Sequence, residues 1–191
     1  MSVLVFDDVL PDPEGYRQAA LLRQFGTVDV GAQFHGIAFC GDDPTLPAWI
    51  ADRFGVSTDL TFFRHSPAGQ LEPNFIHTDC DMGEWTAILY LTPNPPAGDG
   101  TTFWRHVQTG QIATMTGATS EANLAEVLAW RDRSQWEPWQ TVEARFNRVV
   151  VFPSTYYHSR ALEDNYGEGD TARLTQVLFG PGALKQEASC Q

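Results

Sequence analysis

Phe146-Asn147-Arg148-Val149-Val150-Val151-Phe152-Pro153-Ser154-Thr155-Tyr156-Tyr157-His158 is the stretch on which the fold is decided. Val149 to Phe152 is an unbroken apolar run, mostly β-branched, and reads as a buried strand. Pro153 bends the chain. Tyr156-Tyr157-His158 resumes an extended path, so His158, just past a buried strand, is placed to face an interior pocket.

On both sides of this stretch the pattern is again one of strands. Leu60 to Arg64, Asn74 to Asp79, Trp85 to Leu91 and Thr101 to Arg105 precede it, and Ala172 to Phe179 follows. Gly, Pro and Asp cluster between them, notably over Thr92 to Gly100 and Glu163 to Asp170. Val3 to Phe6 reads as one more short strand. Helices are confined to three places. Asp12-Pro13-Glu14 starts the first: Asp caps, Pro suits the first helical position, and Glu suits the positive end. It runs through Tyr16, Ala19, Ala20 and Leu22 and is expected to end at Gly26. The second follows Pro44 and carries Leu46, Ile50 and Phe54 on one face. The third is capped by Ser120 and carries Leu124, Val127 and Leu128, with the Trp-rich stretch Trp130 to Trp139 after it. Gln108 to Glu143 therefore reads as an insertion covering one mouth or edge of the strands.

These elements predict a single α+β domain, mainly β, with a β-sandwich or barrel at its centre and helices packed outside. Strands do not alternate regularly with helices, and no GxGxxG or GxxxxGK[ST] occurs, which excludes the dinucleotide and P-loop folds. Twelve basic residues among 24 acidic ones give a net charge of −12. They supply no basic patch for nucleic acid. No apolar stretch reaches the ~20 residues that span a bilayer. Cys40, Cys80 and Cys190 are odd in number and lack CxxC spacing, so a disulfide framework or structural zinc is not expected. The start of the chain has no basic segment followed by a long apolar one, and a reducing, cytoplasmic location is the expectation.

His77-Thr78-Asp79 lies at a strand end, where alternation turns His77 and Asp79 to one face. An imidazole and a carboxylate side by side need one more ligand to form a facial triad, and His158 is the candidate. Two histidines and a carboxylate on one face leave three cis positions open, which suits a non-haem Fe(II) centre. The same residues also admit a hydrogen-bonded strand histidine, a turn-forming aspartate and a core histidine. His35, His65 and His106 keep such ordinary readings, with His65 also a candidate support for the site. Arg173 shares a strand face with Thr175. A guanidinium in a strand-lined pocket requires a partner, either a bidentate carboxylate ligand or an internal acidic residue.

Together these residues resemble the prolyl-hydroxylase-like branch of the 2-oxoglutarate/Fe(II) oxygenases. The pattern is His77-Thr78-Asp79, Tyr90-Leu91-Thr92, Gly98-Asp99-Gly100-Thr101-Thr102-Phe103, Phe146 to Phe152, His158 and Arg173-Leu174-Thr175, in that order. The opening Phe6 to Glu14 resembles the family's strand followed by a helix. The resemblance implies a double-stranded β-helix, or jelly roll, with His77, Asp79 and His158 as iron ligands. It implies Arg173 on the distal carboxylate of 2-oxoglutarate, with Thr175 and Tyr90 as helpers. It also implies an Fe(II)- and O2-dependent hydroxylase that releases succinate and CO2, and the retained Asp79 favours hydroxylation over halogenation. The substrate, a small molecule, peptide or protein, is not specified. The chain departs from the family pattern in having Arg64-His65-Ser66 before Pro67-Ala68-Gly69, where a tyrosine is common. The gap from His158 to Arg173 is also longer than usual. A cupin-like metal enzyme without the cosubstrate, or a non-catalytic β-sandwich binding module, are the competing readings.

Overall fold

The structure, a computed structural model, describes residues 2–29, 33–41, 43–71, 76–114 and 133–184. The chain opens with β1 (Leu4–Phe6) and α1 (Pro13–Leu21). Asp12 caps α1 by accepting a hydrogen bond from the Gly15 N–H at 3.0 Å, and Pro13 occupies the first turn. Gly26 does not end this helix. The chain leaves it after Leu21, packs Phe25 against His65 with ring centroids 5.2 Å apart, and uses Gly26 to start β2 (Gly26–Asp29). β3 (Gln33–Phe39) returns antiparallel to β2. α2 (Thr45–Phe54) buries Leu46, Ile50 and Phe54 along one stripe, as their spacing predicts. Gly55 closes it in the left-handed conformation, with φ of 67°.

The remaining strands are β4 (Leu60–Ser66), β5 (Trp85–Tyr90), β6 (Gly100–His106), β7 (Trp136–Glu143), β8 (Arg148–Pro153), β9 (His158–Arg160) and β10 (Arg173–Gly180). They form two sheets. The larger has the order β1-β8-β5-β10-β4-β3-β2, and the smaller β7-β6-β9. All recorded pairings are antiparallel, and an isolated bridge between His77 and His158 extends the smaller sheet beyond β9. Facing sheets in this order make a double-stranded β-helix.

Strand alternation gives the large sheet two different faces. Ala87, Leu89, Val149, Val151, Leu174 and Leu178 point outward and pack with Leu46, Ile50 and Phe54 of α2 and Ala20 of α1. Each of the three α2 side chains contributes roughly 1.5–3 kcal/mol by its burial. The intervening residues Tyr90, Val150 and Phe152 point inward and meet Phe103 and Val142 of the small sheet. Arg173 and Thr175 of β10 share this inner face with Tyr90. Gln176 sits on the outer face, where its amide accepts from the Tyr16 hydroxyl at 2.8 Å and donates to Thr61 at 3.0 Å.

Two further sequence expectations change, and a third is not addressed by the described residues. Trp136 to Glu143, read as the end of an insertion, is a strand, β7, paired with β6 from Gly100 to His106. Its aromatic, Pro-containing pattern hid a strand whose Pro138 is accommodated at the sheet edge, beside a register shift at Phe103 and Trp104. The helix expected from Ser120 lies outside the described residues. Asn74 to Asp79 is not a full strand: Asn74 and Phe75 lie outside the described residues, His77 makes one bridge, and Asp79 is already in a loop. No helix among the described residues is long and apolar enough to cross a membrane.

Candidate metal centre

His77 and His158 exchange both backbone hydrogen bonds, at 2.9 and 2.8 Å, as a directly opposed antiparallel pair. This pairing brings their rings to one place, with centroids 4.4 Å apart. Asp79 is fixed two residues on, where its N–H donates to the Ser154 carbonyl at 2.8 Å. One donor atom from each of His77, Asp79 and His158 lies within 4.8 Å of the others, a set that could hold a metal ion. Asp79 Oδ1 is 3.5 Å from His77 Nε2, and Oδ2 is 3.2 Å from His158 Nε2. His158 is buried behind Phe103 and Phe152, whose rings lie 6.3 and 4.7 Å from its own. His77 is the exposed member, with about a third of its side chain accessible.

The surroundings fix the state of each group. His158 Nδ1 lies 2.9 Å from the Tyr156 carbonyl, which only accepts, so Nδ1 carries the proton. In the neutral ring this leaves the Nε2 lone pair directed at the cluster. Burial alone raises the Asp79 pKa, but the charge and hydrogen bond of His158, then His77 and Thr86, outweigh it and hold the carboxyl below its usual range. Burial alone lowers the His158 pKa, but the charge and hydrogen bond of Asp79 and the Tyr156 carbonyl raise it overall. Thr86 completes the cluster by donating to Asp79 Oδ2 at 3.0 Å.

Arg173 begins β10 on the inner face and is buried. It has an internal partner: its Nε lies 3.0 and 3.3 Å from the two oxygens of Asp99, itself buried. Burial acts to lower the Arg173 pKa, but Asp99 first, then Tyr90 and Tyr166, raise it, so the guanidinium stays charged. Nη1 and Nη2 have no hydrogen-bond partner among the described residues. Thr175 is buried on the same face and is the Cα partner of both Tyr90 and Arg64. The Tyr90 hydroxyl is bonded to Thr101 Oγ1 at 2.7 Å, and burial pushes its pKa up to about 12. Ser66 is the Cα partner of Arg173, and its Oγ is buried without a hydrogen-bond partner among the described residues. β6 links the two clusters: Thr101 touches Tyr90, while Phe103, two residues on and on the same face, pairs with His158. That step is about 7 Å.

His65 does not support the cluster. It pairs with Leu174 on the outer side of the sheet and contacts the Gly169 carbonyl and Phe25. His35 bonds Thr27 and His106 bonds Thr109, both ordinary surface pairs. Asp99, Tyr166, Ser66 and Thr86 have no role assigned from the sequence. Thr86 alternates correctly with Ile88 and Tyr90 and was findable. The meeting of Asp99 and Tyr166 depends on a loop path that periodicity does not encode.

A model described as a family of unknown function, DUF6445, matches residues 65–179. No curated protein sequence matches the chain. Solved structures do. A non-heme alpha-ketoglutarate-dependent carbocyclase, SnoK, from nogalamycin biosynthesis aligns with a TM-score of 0.56 at 16% identity, over 92% of this chain and 78% of that one. A prolyl-4-hydroxylase from Pseudomonas putida aligns with a TM-score of 0.55 at 15% identity, over 93% and 92% of the two chains. HygX from Streptomyces hygroscopicus, solved with iron bound, aligns with a TM-score of 0.53 at 15% identity, over 94% and 82%. At these identities the likeness is one of fold.

Proposed function

We propose that this chain, which belongs to the family of unknown function DUF6445, is an Fe(II)- and 2-oxoglutarate-dependent dioxygenase that hydroxylates a small molecule or peptide. The observation that carries the reading is the convergence of His77, Asp79 and His158 at one point on the inner side of a double-stranded β-helix, one strand step along β6 from the Thr101–Tyr90 bond, with Tyr90 on the same sheet face as the buried Arg173. The names of the similar solved structures support it: one is alpha-ketoglutarate dependent, and another was solved with iron bound.

The donor set fits the metal. Two imidazoles and one carboxylate suit Fe(II) and leave further positions for ligands, and the Nδ1 bond to Tyr156 presents His158 through Nε2. Bound there, iron would supply O2 activation coupled to oxidative decarboxylation of the 2-oxo acid, with succinate and CO2 released. The rest falls to the chain. Arg173 offers Nη1 and Nη2 to the distal carboxylate as a charge-assisted pair. Thr175 and Tyr90 line the same end, and the unpartnered Ser66 hydroxyl is a further donor beside Arg173. Phe103 and Phe152 keep water from the inner side of His158. Asp79 keeps its charge through Thr86 and the two histidines.

Anaerobic titration of metal-free protein with Fe(II), then 2-oxoglutarate, tests this. A weak visible charge-transfer band that saturates with 2-oxoglutarate is expected, and should be lost in His158→Ala and Asp79→Ala. Iron binding with no such band overturns the cosubstrate assignment. The Asp99–Arg173 pair gives weight to one second reading, a cupin-like metal enzyme whose arginine serves only as the buried partner of Asp99. That outcome would support it.

A further inference from the structure

The loop between His158 and Arg173 is long, and it reaches back to the buried Asp99. Tyr166 Oη donates to Asp99 Oδ2 at 2.7 Å. Asp99 Oδ1 accepts from the Gly100 N–H at 2.7 Å and from Arg173 Nε at 3.0 Å. The Asp99 backbone is held as well: its N–H donates to the Pro96 carbonyl, and its carbonyl accepts from Ala144. The loop is tied down around Tyr166. Asn165 donates to the Gln70 carbonyl at 2.8 Å, Ala68 N–H donates to the Gly167 carbonyl at 2.8 Å, and His65 Nε2 lies 2.8 Å from the Gly169 carbonyl. Gly167 has φ of +69°, and a Cβ there would stand 2.2 Å from the Thr171 carbonyl oxygen, so the path requires glycine.

We propose that Asp99, held by Tyr166, is a positioning residue that orients the Arg173 fork, so that the loop around Tyr166 forms part of the cosubstrate site. The proposal rests on the cosubstrate reading above. A guanidinium has five N–H donors in a fixed plane. Committing Nε to Asp99 sets that plane and leaves the Nη1/Nη2 edge for one bidentate carboxylate. Asp99 also balances the buried charge when no cosubstrate is bound, which an arginine in this position requires. Tyr166 keeps the Asp99 carboxylate from rotating, because each of its oxygens then has a fixed donor.

The test is calorimetric titration of the zinc-substituted protein with 2-oxoglutarate and, separately, with 2-oxopentanoate, which lacks the distal carboxylate. Asp99→Ala is expected to weaken 2-oxoglutarate binding about tenfold or more while leaving 2-oxopentanoate unchanged. Asp99→Asn keeps an oxygen acceptor and should recover binding to within about threefold of the native protein. Tyr166→Phe should weaken 2-oxoglutarate alone, by about threefold. Zinc affinity measured in parallel reports an intact fold, and Tyr166→Phe carries the test if Asp99→Ala does not fold. Variants that move both ligands equally, or neither, overturn the proposal, as does Asp99→Asn being as weak as Asp99→Ala. Native protein that binds zinc but no 2-oxoglutarate overturns the cosubstrate reading itself, a separate result.

Discussion

Thr86 Oγ1 donates to Asp79 Oδ2 at 3.0 Å while lying 2.9 Å from Ser154 Oγ. A hydroxyl has one proton, so its donation to the carboxylate makes Ser154 the donor to Thr86. Both hydroxyls belong to buried residues, and they orient a carboxylate that is itself mostly buried. Thr86→Val keeps the shape and removes the bond. Metal affinity is expected to fall about 10- to 100-fold, the usual effect of losing such a partner. Competition titration against a chelator reads the change, and an affinity equal to the native value would show that Asp79 needs no help from Thr86.

Arg173→Ala should act on the cosubstrate and on the fold together. It removes the fork and strands the buried Asp99 carboxylate, a loss of about 3–5 kcal/mol in stability. The 2-oxoglutarate concentration needed for half-saturation should rise strongly while metal binding at His77, Asp79 and His158 survives. Arg173→Lys should recover little, because a point charge does not reproduce a planar pair of donors. An unchanged 2-oxoglutarate requirement in Arg173→Ala would assign the distal carboxylate to another residue.

What was legible in the sequence, and what was not, follows from the range of the forces involved. α2 was readable because Leu46, Ile50 and Phe54 repeat every four residues, a local signal. β8 was readable because four apolar residues in succession are buried from both sides. His77 and Asp79 converge although neither lies in a regular strand, since a bridge to His158 places the first and a bond to the Ser154 carbonyl places the second. β7 was not readable: Trp136-Glu137-Pro138-Trp139 lacks clean alternation, and its pairing with β6 spans a register shift. Asp99 reaches Arg173 across 74 residues, and Tyr166 reaches Asp99 across 67. The requirement for an arginine partner was predictable, and which of the acidic residues would meet it was not.

The outer face of the large sheet should be separable from the site. Ile50 is fully buried between α2 and the sheet. Ile50→Ala should cost about 2–5 kcal/mol in urea unfolding, set by how far the cavity collapses. Metal affinity of the remaining folded protein should not change, since Ile50 belongs to the cluster on the outer face. A parallel loss of metal affinity would mean that the sheet transmits the strain to its inner face.

The link between β1 and β8 gives a prediction in pH. Asp7, just after β1, takes Arg148 on both oxygens, at 2.6 and 3.0 Å, and Arg145 at 3.1 Å. The Arg148 hydrogen bond lowers the Asp7 pKa; slight burial opposes it, and the charges of Arg148 and Arg145 add to it. A folded pKa below the unfolded value, about 3.9, means that the pair stabilises the fold fully above that value. The contribution is lost as pH falls through the lower, folded pKa. Asp7→Asn should therefore melt below the native protein at neutral pH, and the gap should shrink below about pH 3.9 and close in stronger acid. Salt should narrow the gap at neutral pH, because the pair is partly exposed and screened. Melting temperatures that differ by a constant amount across the whole range would mean that asparagine disturbs packing at this corner and that the charge contributes nothing.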